Sequence, residues 1–493
     1  MAPTPSEREW DLPMLKATNR VHEYGERDFY SVKFYPYTSS EEDPIFAVVG
    51  GEVVIVFRIS SCGKPETVKL LELSVNVGDE REEDLYSCVW TRDPSTRTPL
   101  LCAAGHRGVV YIIDVVKGEI LRVVLTGHGG DINDLAISPS SPYILASASY
   151  DQTVRIWSLD PAHEKYPLAA MLLGEGHKAD VYTIAFHHNG RHLLSGGADS
   201  VVNLWTLPIF PDKNTGTAKP TLIRYPHFSS SEIHDGRIID CVAWHGDLIL
   251  SKSEEEEVKE KENVIVLWCI TSFDSSLPPP SPSQAPAIQG HATKSYFSTD
   301  PKEVKFVRLA HFHIEDGDLL YTRFGLSPVV EGMGPVLGFM TKYSRLKLWD
   351  LRRLVDYVEY CGSLDGDDHQ HAANRPAFLH TCNKSRSAGA AALARVRDTL
   401  STSSTSISGN SESTNTEGGL GGSTANVDWK KSANKWREMY RVGIPGLNGG
   451  LKPHKEVGIE GKSRFTGRMV SWSAEGGWCV AVGSKGFVAV FGR

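Results

Sequence analysis

Short runs of apolar residues, alternating with small or polar residues, recur along the whole chain. This period of two is typical of β-strands that bury at least one face. The runs fall into seven groups, and we expect the groups to close at residues 53–57, 109–113, Trp157, Trp205, 264–268, 346–350 and 487–491. The pattern therefore predicts an all-β chain built from seven units of several short strands each.

Two of these units carry the same set of residues. Each contains a Gly-His pair, then a hydrophobic stretch, then an Asp followed six residues later by a Trp. The residues are Gly127, His128, Asp151 and Trp157 in one unit, and Gly176, His177, Asp199 and Trp205 in the other. This is the WD-repeat signature, in which each repeat forms one four-stranded blade. The sequence thus predicts a seven-bladed WD-repeat β-propeller with long disordered or helical loop insertions.

The repeated His, Asp and Trp are interpreted as structural residues. In WD repeats a histidine, a Ser or Thr, an Asp and a Trp form a hydrogen-bonded chain within a blade, and we assign that role to both sets. A catalytic His-Asp pair is the competing interpretation. It is disfavoured because the same pair recurs at the same position of two repeats, and repetition indicates architecture.

The propeller is expected to span residues 28–493, with a segment 1–27 that supplies a strand to close the ring onto the last blade. Inserts are expected at about 272–312, rich in Pro and Ser, and at about 363–461. Within the second insert, residues 401–426 have a composition that cannot form a core and should be disordered.

A helix is expected between Asp428 and Tyr440. Trp429, Ala433, Trp436 and Tyr440 recur at helical spacing and share one face. Packing against the flank of the propeller and recruitment of another protein both remain open for this helix.

Composition narrows the classes of function. The net charge of −8 and the pI near 6.1 argue against a direct nucleic-acid binder, which should carry a basic face. The eight Cys include no Cys-x-x-Cys pair, so we expect buried thiols in a reducing compartment and neither a metal site nor a cofactor. No apolar run approaches the ~20 residues that cross a bilayer, and the polar N-terminus predicts no signal peptide.

Several strings go beyond a generic WD repeat. They are residues 85–91, 127–134, 175–177, 225–229, 233–234, 240–244 and 246–253. These strings closely resemble the embryonic ectoderm development / Extra sex combs family, the WD-repeat subunit of Polycomb repressive complex 2. The resemblance covers roughly residues 28–271, 317–361 and 463–493, and leaves out the inserts.

The resemblance implies a non-catalytic nuclear scaffold and histone reader. One face would bind a trimethylated lysine of a histone tail and stimulate histone methylation for gene silencing. The opposite face would hold a helix of the catalytic subunit, an Enhancer of zeste-type methyltransferase, in a groove. Other subunits of the complex are further expected partners.

The reader site implied by the resemblance is an aromatic cage. A trimethylammonium group donates no hydrogen bond, so cation–π attraction and shape must recognise it. The family's cage positions fall on Tyr30, Tyr86 and Tyr321, with Leu320 where animal relatives have Trp and Tyr30 where they have Phe. Arg468 matches a family arginine near the pocket and is expected to contact the peptide backbone.

Two other classes of function compete with the histone-reader interpretation. Residues 349–352 spell Trp-Asp-Leu-Arg, which fits the Trp-Asp-x-Arg signature of WD-repeat substrate receptors of cullin ubiquitin ligases. An enzyme is disfavoured, because the chain has no Gly-x-Ser-x-Gly elbow, no zinc-ligand cluster and no Gly-rich phosphate loop.

Overall fold

The fold is known from a computed structural model. It describes residues 12–20, 27–39, 41–60, 65–76, 82–121, 125–254, 264–282, 292–298, 300, 302–314, 320–330, 334–362, 375–376, 378–379, 428–439, 450–459 and 465–493. The chain divides into two compact units. The first comprises Met1–Arg352 with Val442–Arg493, and the second comprises Arg353–Arg441.

The first unit contains seven β-sheets, each with four or five strands, which confirms the predicted seven-bladed propeller. Blade 1 consists of β2 (Ser31–Phe34), β3 (Ile45–Gly50), β4 (Val53–Ser60) and β5 (Glu66–Ser74). Blade 2 consists of β6 (Leu85–Arg92), β7 (Pro99–Gly105), β8 (Val110–Asp114) and β9 (Glu119–Ile120). Blade 3 consists of β10 (Ile132–Ser138), β11 (Ser141–Ser149), β12 (Val154–Ser158) and β13 (Leu168–Leu172).

Blades 4 to 7 follow the same antiparallel order. Blade 4 consists of β14 (Val181–Phe186), β15 (His192–Gly197), β16 (Val202–Thr206) and β18 (Phe228–Ser230). Blade 5 consists of β19 (Ile238–His245), β20 (Leu248–Glu254), β21 (Val264–Ile270) and β23 (Phe306–His313). Blade 6 consists of β24 (Gly325–Leu326), β25 (Val336–Met340), β26 (Arg345–Asp350) and β27 (Lys455–Gly458). Blade 7 consists of β28 (Gly467–Trp472), β29 (Trp478–Gly483), β30 (Phe487–Gly492) and β1 (Met14–Arg20).

The ring closes through its first strand. β1 pairs antiparallel with β30, from Met14 opposite Gly492 to Arg20 opposite Phe487. The outermost strand of blade 7 therefore comes from the start of the chain, while the other three come from its end. This pairing covers an edge of β30 that would otherwise be open to pairing with another chain.

Two strands lie inside the segments predicted to be inserts, so the predicted boundaries were too wide. All of β23 except its last residue falls within 272–312 and pairs along β21, and β27 falls within 363–461 and pairs with β26. Both are outermost strands with few or no buried residues, so they give little apolar signal in the sequence. Two short strands also extend blades outward: β17 (Thr221–Ile223) along β13, and β22 (Thr293–Ser295) along β18.

Hydrophobic clusters lie between neighbouring blades. Val48 and Ile55 of blade 1 pack with Val480 and Val490 of blade 7, and similar clusters join blades 1 and 2, 2 and 3, 3 and 4, 4 and 5, and 6 and 7. Four tryptophans of third strands are almost fully buried: Trp157, Trp205, Trp268 and Trp349. Because neighbouring blades share these clusters, burial of apolar area stabilises the ring and not only single blades.

The second unit contains most of α1 (Leu351–Gly362), which begins directly after β26, and all of α2 (Trp429–Met439). The helix predicted from Asp428 to Tyr440 is thus confirmed, and the backbone N–H of Lys431 donates to Asp428 Oδ1 at its start. Trp436 is buried and contacts both Tyr360 of α1 and Trp429. The tract 401–426, expected to be disordered, lies outside the described residues.

Candidate functional site

Three tyrosines from three blades lie together near the point where the first, innermost strand of each blade begins. Tyr30 directly precedes β2, Tyr86 lies in β6, and Tyr321 lies shortly before β24. Their ring centroids are 5.5 Å apart for Tyr30 and Tyr86, 6.0 Å for Tyr30 and Tyr321, and 5.5 Å for Tyr86 and Tyr321. First strands of a propeller surround its central channel, which explains why residues so distant in sequence form one aromatic cluster.

The rings of this cluster are in mutual contact. Tyr86 and Tyr321 stack with an interplanar angle of 22°, whereas Tyr30 meets both rings edge-on. All three side chains are half-buried. A cation that is to touch several ring faces therefore has to enter from the open side of the cluster and displace at least one ring.

Leu320 and Arg468 border the cluster. Arg468 donates to Asp28 Oδ2 from Nη2 at 2.7 Å and from Nε at 3.0 Å, and its Nη1 donates to the carbonyl of Leu320 at 3.0 Å. Its guanidinium also lies 5.4 Å from the ring centroid of Tyr30. Arg468 thus joins the segments that carry Tyr30 and Tyr321, and three of its five N–H groups are already used within the protein.

Tyrosine 321 is held more firmly than its neighbours. Its backbone has φ of +57°, an uncommon conformation for a bulky residue. Its hydroxyl lies 2.8 Å from Asn133 Oδ1 and 2.8 Å from the hydroxyl of Tyr150. Sequence reasoning missed Asn133, Tyr150 and Tyr182, whose ring meets those of Tyr150 and Tyr321 edge-on. No motif marks them, because they join the cluster only when blades 3, 4 and 6 meet.

A polar cavity of about 1080 Å³ opens beside Tyr30 and Tyr86. Carboxylates predominate among its charged lining residues, which include Asp28, Glu83 and Asp84. Burial and the neighbouring carboxylates of Glu83 and Asp28 raise the pKa of Asp84 to about 6. Burial also raises the pKa of Tyr30 and Tyr86, and the charge of Asp84 adds to both shifts. The cluster therefore has a negative flank suited to a cationic ligand.

Buried ion pairs lie deeper along the channel. Arg323 of blade 6 donates to Asp134 Oδ1 of blade 3 at 2.5 Å and to the carbonyls of Asn133 and Tyr182. Lys252 and Asp240 of blade 5 form a second pair at 2.7 Å. These side chains link the inner strands of several blades through hydrogen bonds that need no water.

The two predicted WD networks have the geometry of structural chains. In blade 3, His128 Nδ1 lies 2.8 Å from Asp151 Oδ2 and its Nε2 lies 2.7 Å from Ser147 Oγ, which accepts from Trp157 Nε1. In blade 4, His177, Asp199, Ser195 and Trp205 repeat these contacts. Burial lowers the pKa of His128, which keeps its ring neutral as the chain of donors requires.

Blade 5 contains a third network that the sequence did not reveal. His234 Nε2 lies 2.8 Å from Ser251 Oγ, and Trp268 Nε1 donates to the same oxygen at 2.9 Å. The position six residues before Trp268 is Glu262 and not Asp, so this blade lacks the full repeat signature. Burial lowers the pKa of His234 to about 3.

A second cavity, of about 560 Å³, lies farther along the same inner strands. Its lining includes Val89, Ala136, Leu326 and Trp472, which lie downstream of the cage and ion-pair residues on β6, β10, β24 and β28. Because a strand advances about 3.3 Å per residue, this cavity opens toward the other end of the channel. The two ends thus differ: one is aromatic and acidic, the other more apolar.

Comparison with known proteins assigns the family. The model of the WD domain, G-beta repeat, matches residues 118–158 and 170–206. Over 100% of this chain and 97% of the relative, the sequence is 34% identical to Polycomb protein EED of Chaetomium thermophilum. The chain belongs to the EED / Extra sex combs family of Polycomb proteins.

More distant relatives and solved structures agree with this assignment. The chain is 29% identical to Polycomb protein esc of Drosophila melanogaster over 68% of its length and 73% of the relative. It also matches a chain of Polycomb repressive complex 2 of Chaetomium thermophilum, solved in complex with H3K27me3 and H3K27M, with a TM-score of 0.78 and 34% identity over 98% of both chains.

Family membership over the full length overturns the alternative of a cullin ligase substrate receptor. In the structure, Trp349 and Asp350 end β26, and Asp350 Oδ1 accepts from the backbone N–H of Arg352 where α1 begins. The Trp-Asp-Leu-Arg string is thus accounted for by a strand end and a helix start. Among the described residues, no helix is long and apolar enough to cross a membrane, and no group of three or more His, Cys, Asp or Glu side chains could hold a metal ion.

Proposed function

We propose that this chain is the WD-repeat subunit of a Polycomb-type histone methyltransferase complex. In this role it binds a trimethylated histone lysine at the cluster of Tyr30, Tyr86 and Tyr321, and it stimulates methylation by the catalytic subunit. The observation that carries the proposal is the meeting of three tyrosine rings within 6.0 Å beside an acidic cavity, in a chain of this family.

The chemistry of the cluster suits a trimethylammonium group. Each ring face attracts a cation through its quadrupole, with about 0.5–2 kcal/mol for a good contact. The methyl groups cannot donate hydrogen bonds, so the hydroxyls of the tyrosines are not needed as acceptors. The carboxylate of Asp84 supports binding through longer-range attraction, and Leu320 supplies van der Waals contact where a further ring would supply cation–π attraction.

Arg468 chiefly connects the segment that carries Tyr30 with the segment that carries Tyr321. Its ion pair with Asp28 and its bond to the Leu320 carbonyl hold together the backbone segments that carry Tyr30 and Tyr321. Contact of its remaining N–H groups with the peptide backbone is compatible with these bonds.

The chain acts as scaffold and regulator, and the chemical step belongs to another subunit. A helix of an Enhancer of zeste-type methyltransferase docks at the face opposite the cage, and binding of the methylated tail favours the active conformation of that subunit. The coupling is reciprocal: docking of the catalytic subunit must change the affinity for the methylated tail by the same factor. Such a complex works on chromatin, so the chain is nuclear.

Calorimetric titration tests the reader role. The purified chain should bind a histone-tail peptide with trimethyl-lysine and ignore its unmethylated twin, and Tyr86→Ala should abolish the difference. Tyr166→Ala is the matched control, because this tyrosine is 38% exposed on the outside of blade 3 and lies away from the cage. Equal binding of the two peptides would refute the reader role and leave a scaffold.

A test of the stimulatory role requires the assembled methyltransferase complex. Methyltransferase activity should rise when trimethyl-lysine peptide is added to a complex with the unmodified chain, and it should not respond with Tyr86→Ala. Retention of the catalytic subunit by Tyr86→Ala on an affinity column would show that loss of response is not loss of assembly. Activity that ignores the peptide in both complexes would contradict stimulation.

A further inference from the structure

The hydroxyl of Tyr321 takes part in a chain of hydrogen bonds whose direction is determined. Asn133 Nδ2 donates to the carbonyl of Val181 at 2.8 Å, and a carbonyl can only accept. Oδ1 of Asn133 therefore faces Tyr321 and accepts a hydrogen bond from its hydroxyl. The single hydrogen of the Tyr321 hydroxyl is used in that bond, so in the contact with Tyr150 it is Tyr150 that donates.

The chain thus runs from Tyr150 to Tyr321, to Asn133 and to Val181, and it crosses the channel from blade 6 to blades 3 and 4. Asn133 is fully buried, so both of its bonds are protected from water. The ring of Tyr182, 7% exposed, packs edge-on against the rings of Tyr321 and Tyr150 at 5.9 Å. Tyr321 is consequently fixed at its hydroxyl and along its ring.

The other two rings of the cage have no such anchors. Within the described part of the chain, no side chain or backbone group hydrogen-bonds to the hydroxyl of Tyr30 or Tyr86; their polar surroundings act only through burial and charge. Since Tyr86 stacks directly on Tyr321, one of the two must move to admit a bulky cation between ring faces. Moving Tyr321 would break two hydrogen bonds, whereas moving Tyr86 breaks none of these bonds.

We propose that Tyr150 is a positioning residue of the trimethyl-lysine site, whose hydroxyl fixes Tyr321 as the immobile wall against which Tyr30 and Tyr86 rearrange around the cation. This inference rests on the proposed reader function and assigns a role to a residue that does not need to touch the ligand. It also gives a reason for the uncommon backbone conformation of Tyr321, since strained residues persist where their surroundings over-determine them.

The test is a cycle of conservative variants in the full chain. Tyr150→Phe keeps the ring and removes only the donated bond, and it should weaken trimethyl-lysine peptide binding about 3- to 10-fold, as expected for one lost hydrogen bond. Tyr321→Phe removes the same bond and also the bond to Asn133, so it should weaken binding at least as much. The double variant should lose no more than Tyr321→Phe alone, because the bond from Tyr150 is already absent in that variant. Tyr166→Phe, which removes a tyrosine hydroxyl away from the channel, should leave the affinity unchanged.

A ligand-free readout distinguishes positioning from general stability. With ¹³C-labelled tyrosine rings, the signals of Tyr321 should broaden or average in Tyr150→Phe, because its ring gains freedom, while the thermal midpoint changes little. Unchanged affinity in Tyr150→Phe would overturn the inference, as would losses that add in the double variant, which indicate direct contact of Tyr150 with the ligand. Failure of the unmodified chain to bind the peptide would instead overturn the proposed function, and this inference with it.

Discussion

Arg323 and Asp134 form a buried ion pair across the central channel. Arg323 Nη1 lies 2.5 Å from Asp134 Oδ1, and both side chains are at least nine-tenths buried. The second carboxylate oxygen of Asp134 accepts from the backbone N–H of Ile184 in blade 4, so one aspartate links blades 3, 4 and 6. The pair therefore lies at the convergence of the inner strands on which the aromatic cluster is built.

Removal of one partner should destabilise the propeller strongly. Asp134→Ala leaves the guanidinium of Arg323 buried without its counter-charge, and we expect a loss of about 3–5 kcal/mol in the free energy of unfolding, measured by urea denaturation. Lys69→Gln breaks the exposed pair with Glu72 and should cost no more than about 1 kcal/mol. Equal effects of the two substitutions would contradict a structural role for the buried pair.

A ring at position 320 should strengthen the reader site. Leu320→Trp adds a quadrupole beside Tyr321, and one good cation–π contact of about 0.5–2 kcal/mol corresponds to an affinity gain of about 2- to 30-fold. The measurement is calorimetric titration with the trimethyl-lysine peptide. Leu320→Met, which adds no ring, is the matched control and should stay near the unmodified affinity. A loss of affinity in Leu320→Trp would mean that the site has no room for an indole beside Tyr321.

Binding of the methylated peptide should tighten as the pH rises. The pKa of Asp84 is raised to about 6, mainly by burial, so this carboxyl is largely neutral at pH 5 and ionised at pH 7.5. The trimethylammonium charge does not titrate, so the affinity should increase about two- to fivefold across this interval. Glu83, with a raised pKa, and His106, whose pKa Asp131 raises, act in the same direction.

Asp84→Asn isolates the contribution of this carboxyl. Its titration should show a flatter pH profile, with an affinity at pH 7.5 below that of the unmodified chain at the same pH. The slope that remains belongs to other groups that line the cavity, including Glu83 and His106. An identical pH profile in the variant would show that Asp84 does not act on the bound cation.

Acid should destabilise blade 5 through His234. Burial lowers the pKa of this histidine to about 3, well below the value of about 6.5 in an unfolded chain. The unfolded chain therefore takes up the proton first, so the stability is fully present above pH 6.5 and falls as the pH drops toward 3. The expected slope is about 1.4 kcal/mol per pH unit for this one group.

Urea unfolding at pH 6.5 and pH 5.5 measures this slope. His234→Gln should be less stable at both pH values, because its contact with Ser251 changes, but it should lose about 1 kcal/mol less between them. His128 and His192 also have lowered pKa values, so the variant keeps part of the acid sensitivity. Equal slopes for the two chains would exclude His234 as a source of acid sensitivity.

Sequence patterns within one segment or repeat predicted the strands, hydrogen-bond networks and helix that depend only on residues of that segment or repeat. The apolar runs at residues 53–57 and 487–491 predicted β4 and β30, and the recurring His, Asp and Trp predicted the networks of blades 3 and 4. The helical spacing of Trp429, Ala433 and Trp436 predicted α2. Outermost strands such as β23 and β27 were missed, since they contain few or no buried residues and so give little apolar signal.

The aromatic cluster was predicted only in part. Tyr30, Tyr86 and Tyr321 were identified through family resemblance, and the structure brings them into contact. Asn133 and Tyr150 were not identified, because the hydroxyl contact with Tyr321 joins residues 188 and 171 positions apart. Nothing in the periodicity of either segment marks such a pair.

The sequence by itself determined the blades of this protein, because strand alternation and the WD networks depend on residues within one repeat. Only the tertiary structure decided which side chains share the channel. Closure of the ring through β1 and β30 brings the first strands of the blades around one axis, and the anchoring of Tyr321, the acidic flank at Asp84 and the Arg323–Asp134 pair depend on that convergence.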